Sequence, residues 1–508
     1  MPDNRAAVTL RLHNTLTRAL EELRPLAPGK VGLYTCGPTV YGRVHIGNLR
    51  TFVWEDVMCR VLRALGYEVT QVMNLTDIDD KTIRDATAAG LPLREFTDLH
   101  IATFFEDLNT LGVIPAAVYP RATDHIPEMV EIVKKLAARG HTYESEGSIW
   151  YRIATFPDYG KLSKIDLTAV RRGARVADDE YEKEDVRDFA VWKAAKEGEP
   201  ESATWTTELG RGRPGWHLEC SAMSMKYLGE TIDIHTGAVD NIFPHHENEI
   251  AQSEGATGKP FVHYWLHAEH LIVDGEKMAK SKGNFFTLPD LVGKGHSPRA
   301  VRYLFQSVPY RMKLNFTFDA LKGAASALER LDSLDLRLSE REREEKTGEE
   351  ISSKVNAAAA GAFAERVTAA RRAVFDSLED DLNTAGALGA LFSFVKATNV
   401  DLEAGRLSPA DAAAARGLLR EIAGGIFGVM EKTEVPAALS SSSPSRKIPG
   451  LPGPSGELEA WIEDRIEARK AAKKARDFKA ADAIRDELLA KGIVLEDTPH
   501  GVRWKRKA

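Results

Sequence analysis

Residues 243–255, FPHHENEIAQSEG, place two histidines and two glutamates within five consecutive positions, with an asparagine between the acids. Pro244 suits the first turn of a helix, where a missing N–H leaves nothing unsatisfied, so the run from His245 onward reads as helical. On such a helix His245 and Glu249 stand one above the other, and an imidazole beside a carboxylate is a workable half of a zinc site. Half a site does not hold an ion. The same letters serve as an acid/base pair or as the wet face of a helix, and only partners from elsewhere in the chain decide among the three.

Two further stretches carry chemistry. HIGN, His45–Asn48, falls at a loop-to-helix junction. A helix N-terminus offers unpaired N–H groups and partial positive charge suited to phosphate, and Gly47 lets a phosphate or flat ring approach the backbone. A histidine that merely caps the turn explains the same four letters. EKMAKSKGN, Glu276–Asn284, sets Lys277 and Lys280 three apart with Gly283 close behind. Such a loop can fold over a triphosphate and stabilise charge developing on departing pyrophosphate, though a solvated surface turn is the plainer reading.

The elements that must position these groups are legible around them. VGLYTC, ending at Cys36, reads as a buried strand, and GPTVYGRVHIGN after it as a loop. From Leu49 apolar residues recur at helical spacing through Leu65, Gly66 ends the run, and EVTQVMNL is a second strand closing in the acidic turn TDIDDK. Strand, helix, strand predicts a parallel sheet, whose ligands bind beyond the carboxyl ends of its strands, where Cys36 and His45 both fall. The expected architecture is α/β. It comprises a Rossmann-like catalytic domain split over 25–120 and 216–265, an insertion over 121–215, and a lysine-loop region over 266–325. An α-helical bundle over 326–435, a Ser/Pro/Gly-rich linker over 436–456 and a small C-terminal α+β module over 457–508 follow. In that last module IVLED and VRWKR read as a hairpin.

At 508 residues the chain exceeds one hydrophobic core, and its 43% hydrophobic and 28% charged residues are those of a globular protein. No stretch approaches a membrane span, and the first residues lack an apolar signal core, so a cytoplasmic location is expected. Three cysteines, Cys36, Cys59 and Cys220, are too few for a disulfide framework. The net charge of −7 confines any nucleic-acid surface to a local patch. Residues 457–508 carry 13 Lys/Arg against 11 Asp/Glu, and VRWKRKA sets cations beside Trp504. That pairing suits stacking on an unpaired base, with an ordinary basic tail as the alternative.

HIGN and KMAKS, in this order on a sheet pattern, resemble the two signatures of the class I aminoacyl-tRNA synthetases, HIGH and KMSKS. YTCGPTVYGRVHIGN, NLTDIDDK, GRPGWHLECSAM, FPHHENEIAQ, EKMAKSKGNFF and GIVLEDTPHGVRWKRK are most similar to the blocks of the cysteine-specific family within that class, and the likeness spans nearly the whole chain. The resemblance implies a ligase that activates L-cysteine with Mg-ATP and passes it to tRNA-Cys. It also implies one zinc ion held by Cys36, Cys220, His245 and Glu249. His45, Gly47 and Asn48 would meet the ATP phosphates, Lys277 and Lys280 would act from the mobile loop, and Trp216, His235, Thr76 and Asp240 would line the amino-acid pocket. The last module would read the anticodon, and nothing demands a dimer, so a monomer is expected. Zinc has an independent rationale: cysteine and serine differ by one atom, which a shape-reading pocket separates poorly and a thiolate-seeking metal separates well.

The chain departs from the family pattern in places. Asn48 stands for the second histidine of HIGH and keeps a hydrogen-bonding amide. Ala279 stands for the first serine of KMSKS, and Thr236 and Ala238 stand where glycines are usual, which would narrow that wall. Two other functions fit part of the pattern: a ligase joining activated cysteine to an amino-sugar, which would lack the C-terminal module, and a non-catalytic zinc- and RNA-binding descendant, which would not need the lysine loop.

Overall fold

The computed structural model describes residues 10–165, 188–343 and 357–430, the last with backbone alone for 357–360. Beyond them it describes 465–466, 469–470, 484–485 and the backbone of 493–498 and 501–506, while the expected linker at 436–456, most of the 170–190 segment and the side chain of Lys280 lie outside the described residues. The chain divides into two compact units, 1–431 and 432–508.

The first unit is built on four parallel strands, β1 (Lys30–Thr35), β2 (Glu68–Met73), β3 (Ile232–Ala238) and β4 (Val262–Ala268), in the order β4-β3-β1-β2. The chain runs outward from β1 to β2 and later returns to β1's other side as β3. The carboxyl ends of β1 and β3 therefore flank the switch point where open parallel sheets bind ligands. β3 is buried along nearly its whole length, as a strand covered on both faces must be. One face carries helix α1 (Ile46–Ala64) over Leu33 and Ile234; the other carries α2 (Trp216–Leu228) and α3 (Glu247–Thr257) around Tyr34, Val72 and Trp265.

α1 begins three residues before its apolar periodicity, because His45 caps it. Two of its buried charged residues, Arg50 and Asp56, are fully engaged. The Arg50 guanidinium donates to the carbonyls of Glu269 and Met312 at 2.7 Å each. Asp56 accepts from Arg60 at 2.8 Å and from Arg302, whose Nε donates to the Phe427 carbonyl at 2.6 Å, so this network ties α1 to the helical bundle. Burial pushes the Asp56 carboxyl up, but Arg302 and Arg60 outweigh it and hold Asp56 below the usual range. Asp56→Ala is expected to cost about 3–5 kcal/mol in urea unfolding at neutral pH, by stranding a buried guanidinium. With its folded-state value depressed, Asp56 contributes fully above an unfolded value of about 4, and that contribution fades as the pH falls through the folded value.

The insertion forms a five-stranded antiparallel sheet, ordered Thr142–Ser145, Ser148–Tyr151, Phe189–Ala194, Gly210–Pro214, Trp205–Thr207. The bundle comprises Phe318–Arg343, Ala357–Glu379, Thr384–Glu403 and Pro409–Leu419. In the second unit Ile493–Thr498 pairs antiparallel with Gly501–Arg506, the hairpin expected there. No described helix is long and apolar enough to cross a membrane.

The helix expected at His245 is present, preceded by a kink. Pro244 opens the helical run as expected: Phe243 before it is extended, at φ −139° and ψ 132°, and from Pro244 the backbone is helical through His245 and His246 into α3 at Glu247. Proline's ring disfavours helical backbone at the preceding residue, and the kink follows from that.

Candidate metal centre and nucleotide site

Cys36 leaves the carboxyl end of β1, its N–H donating to the Thr236 carbonyl of β3 at 3.2 Å. Cys220 sits on α2, His245 in the helical turn that leads into α3, and Glu249 in the first turn of α3. One ligand atom from each lies within 4.8 Å of all the others. Glu249 is fully buried, and its Oε2 accepts from His235 Nε2 at 2.9 Å. Its Oε1 has no aligned hydrogen bond, although His245 Nε2 is 3.0 Å away. A buried carboxylate oxygen left unpaired is costly. Two sulfurs, one imidazole nitrogen and one orphaned oxygen, convergent and, Cys36 apart, buried, form a donor set that fits a tetrahedral metal ion.

Cys36, His235, His246 and Glu249 make a second convergent group. Their hydrogen bonds argue against it as the ligand set. His235 Nε2 is spent on Glu249, and His246 lies between Cys36 Sγ at 3.3 Å and His267 Nε2 at 2.8 Å, with His267 held by Thr15 Oγ1 at 2.8 Å. These rings orient the sulfur and carboxylate, as imidazoles around metal ligands do.

The charges agree. The Cys36 thiol donates to Cys220, which pulls Cys220 down to about 6 and pushes Cys36 up. Burial would raise Glu249, but His235 and His245 bring it down to about 2. Burial lowers His246 far below its ordinary range and His267 to about 3, so both stay neutral.

His217 was not among the residues singled out from the sequence. Its Nδ1 is 2.9 Å from His245 Nδ1, which leaves His245 Nε2 facing the centre. Its spacing held the signal, since a residue three before Cys220 on a helix shares its face. Glu247 and Asn248 do not face solvent. The Glu247 carboxylate accepts from the Gly160 and Ser163 N–H groups at 2.8 and 2.7 Å, and Asn248 bonds the Tyr159 hydroxyl, fixing α3 to the insertion.

Gly37 is required here by close approach. A Cβ on it would stand 1.7 Å from the Asn74 carbonyl oxygen, and its N–H donates to Asn74 Oδ1 at 2.8 Å. Gly37→Ala must push the turn that carries Cys36. The expected result is purified protein with less than about half a metal ion per chain, read by elemental analysis, because ligand placement sets affinity.

At the nucleotide end His45 does cap α1: its Nδ1 accepts from the Gly47 and Asn48 N–H groups at 3.1 and 3.2 Å. That fixes its tautomer. Nδ1 is the acceptor, so Nε2 carries the proton and is the ring's donor, and burial keeps the ring neutral by lowering its pKa. Capping and phosphate contact thus use different nitrogens. Asn48 is exposed beside it, and a Cβ on Gly47 would meet the His45 ring at 2.9 Å and Met278 of the lysine loop at 3.3 Å. The Ile46 N–H donates to the Phe286 carbonyl at 2.9 Å, so the loop's far end is anchored to α1. Within the loop Asn284 accepts from the Ala279 N–H at 2.8 Å and donates to the Lys277 carbonyl at 3.3 Å. Lys282 pairs with Glu276, Lys277 is exposed, and the backbone of Lys280 opens a short turn.

The residues expected around the amino acid are spread over several environments. Trp216 is 43% exposed, with its ring centroid 4.5 Å from that of His245, so it is a wall of the site and not a core residue. Thr76 is buried and its hydroxyl accepts from Asn74 at 3.0 Å, whereas Asp240 is exposed, 3.4 Å from His270 Nε2. His235 is wholly buried behind Glu249 and acts through it. Thr236 does not narrow the wall. Its hydroxyl turns toward α1 and donates to Glu55 at 2.7 Å, where burial raises Glu55 to about 8.

Comparison with known proteins places this geometry. A family model described as the class I (C) tRNA synthetase catalytic domain matches residues 22–326, and a DALR domain matches 373–431, within the helical bundle. A cysteine–tRNA ligase of Solibacter usitatus is 48% identical, over 98% of this chain and 100% of its own, and one of Brachyspira hyodysenteriae is 44% identical over 97% and 99%. The chain belongs to the cysteine–tRNA ligase family. Among solved structures, Mycobacterium tuberculosis methionyl-tRNA synthetase bound to methionyl-adenylate superposes with a TM-score of 0.56 at 13% identity, over 77% of this chain and 88% of that one. An Agrobacterium radiobacter LeuRS-tRNA-LeuAMS complex does so at 0.59 and 12%, over 80% and 85%. At these identities the likeness is one of fold: the class I synthetase fold, with its parallel sheet and the two signature segments at one end of it, is the scaffold that the family places here.

Proposed function

We propose that this protein activates L-cysteine with Mg-ATP and transfers it to the 3′ end of tRNA-Cys, and that zinc bound by Cys36, Cys220, His245 and Glu249 selects the substrate by its thiolate. The supporting observation is the convergent set of two thiols, one imidazole and one carboxylate whose inward oxygen lacks a hydrogen bond. Zinc bound there supplies a soft acceptor for the substrate sulfur. Trp216 walls the space beside it, and Thr76 and Asp240 are assigned to the substrate's polar end.

His45 donates from Nε2 to the ATP phosphates, joined by Asn48 and the α1 N-terminus around Gly47. Lys277 and Lys280 act as the loop closes, stabilising charge as the cysteine carboxylate attacks the α-phosphate and pyrophosphate leaves. Little covalent work falls to the protein; positioning supplies the acceleration. A ribose hydroxyl of tRNA then takes the acyl group from the adenylate. In this reading the domains fall at 25–120 with 216–265, 121–215, 266–325, 326–435 and 457–508, the last reading the anticodon, and the enzyme works as a cytoplasmic monomer.

Two assays on zinc-loaded protein test the proposal. Cysteine-dependent exchange of pyrophosphate into ATP is expected, together with cysteine acylation of tRNA. Exchange without acylation, accompanied by transfer to an amino-sugar, would point to the related sugar ligase. Absence of both activities would leave only a metal-binding descendant.

A further inference from the structure

Among the described residues three Phe, Trp or Tyr side chains are exposed: Tyr41, Trp216 and Tyr227. Trp216 walls the metal centre. Tyr227 is engaged, its hydroxyl 3.0 Å from His125 Nε2 and the Lys226 ammonium over its ring paired with Glu128. Tyr41 differs. It is 39% exposed, its hydroxyl has no hydrogen-bond partner among the described residues, and the Lys81 ammonium stands 5.6 Å from its ring centroid without a carboxylate partner among them. The acids beside Lys81 are spent elsewhere: Asp79 caps the helix Asp80–Ala89, and Asp80 pairs with Lys193 and Arg213 of the insertion. The loop that carries Tyr41 is fixed at the site. Val40, buried beside it, donates its N–H to the Thr76 carbonyl at 3.1 Å, and the Thr76 N–H donates to the Pro38 carbonyl at 3.1 Å, so this loop is laid along the carboxyl end of β2. Cys36 lies five residues back and His45 four residues on. Because β2 is on the far side of β1 from β3, Tyr41 and Lys81 border the site away from the β1–β3 crevice.

We propose that Tyr41 and Lys81 dock the unpaired 3′ end of tRNA, one base stacking on the exposed part of the Tyr41 ring and its phosphate meeting Lys81, so that the terminal ribose is brought to the adenylate. The inference rests on the aminoacylation reading above, and no bond is made or broken in it. An exposed ring takes any base by its face, and an unpaired cation beside the ring takes the negative charge that every nucleotide carries. A duplex hides its base faces, whereas a single-stranded end offers them. The pair therefore suits the one stretch of RNA that the transfer step must bring to this end of the sheet.

The test compares acylation of tRNA with cysteine-dependent pyrophosphate exchange, which needs no tRNA, on zinc-loaded full-length protein. Tyr41→Ala is expected to lower kcat/KM for tRNA about ten-fold or more, the scale of one lost stacking contact, while exchange is little changed. Tyr41→Phe keeps the ring and is expected to acylate like wild type. Lys81→Gln is expected to flatten the dependence of log KM for tRNA on log salt by about 0.7, the slope of one phosphate contact to a single strand. Both of these variants keep the test decisive if the alanine variant folds poorly. Acylation and salt slope left unchanged by Tyr41→Ala and Lys81→Gln overturn the docking role and leave the activity standing. Exchange that falls together with acylation, in Tyr41→Ala protein of normal thermal unfolding, places Tyr41 in the cysteine or nucleotide site and overturns it too, as does Tyr41→Phe failing like alanine. A wild-type protein that exchanges pyrophosphate but does not acylate tRNA overturns the reading beneath the proposal.

Discussion

Cys220→Ser is expected to lower zinc affinity by at least about 100-fold and to abolish cysteine-dependent pyrophosphate exchange. Cys220 is 2% exposed and is one of only two sulfurs in the donor set. A serine hydroxyl keeps nearly the same volume but is neither soft nor deprotonated at neutral pH, so the loss is one of coordination and not of packing. Cys59→Ser is the matched control. Its thiol is also buried, hydrogen-bonds Gln71 Oε1 at 3.4 Å, is pushed up to about 12 by burial and belongs to neither convergent group. Equilibrium dialysis against a zinc chelator followed by elemental analysis reads both variants. Zinc retained by Cys220→Ser would remove α2 from the site.

Substitutions at His45 separate its two duties. His45→Ala removes both the cap on α1 and the Nε2 donor; His45→Asn keeps a side chain able to cap but not the donor's reach. Both are expected to slow cysteine-dependent exchange by about 100- to 1,000-fold, the scale of one lost donor to developing charge. Only His45→Ala should also lose stability, by about 1 kcal/mol, the worth of a good cap. Equal stability loss in both variants with near-normal exchange would reduce His45 to the capping role its letters alone allowed. Thermal unfolding and exchange rates on the same preparations decide.

How far the sequence carried these conclusions depends on the physics behind each feature. The parallel sheet was legible because β1, α1 and β2 follow one another with sharp changes of period, and the switch point follows from that order. The lysine loop and the histidine cap are local, and local letters describe them well. What one sequence conceals is contact between distant segments. Nothing in residues 30–36 says that Cys36 meets Cys220, and nothing in α1 says that Asp56 holds Arg302 across 246 positions. The histidines around the centre illustrate the same limit: His217 and His267 are ordinary letters until the fold sets them against His245 and His246. The helical start ahead of α3 was legible because it is local. A proline fits a helix's first turn and holds the residue before it extended, and both effects are seen at Phe243 and Pro244.

The central claim is that a metal ion reads the substrate's sulfur, and X-ray absorption at the zinc edge, with and without L-cysteine, tests it most directly. Zinc-loaded protein is expected to show two sulfur neighbours at about 2.3 Å and two lighter ones, with a third sulfur appearing when cysteine is added and none when serine is. A sulfur count that cysteine leaves unchanged, in protein that still carries out cysteine-dependent exchange, would contradict the account and place selection of the amino acid elsewhere in the pocket.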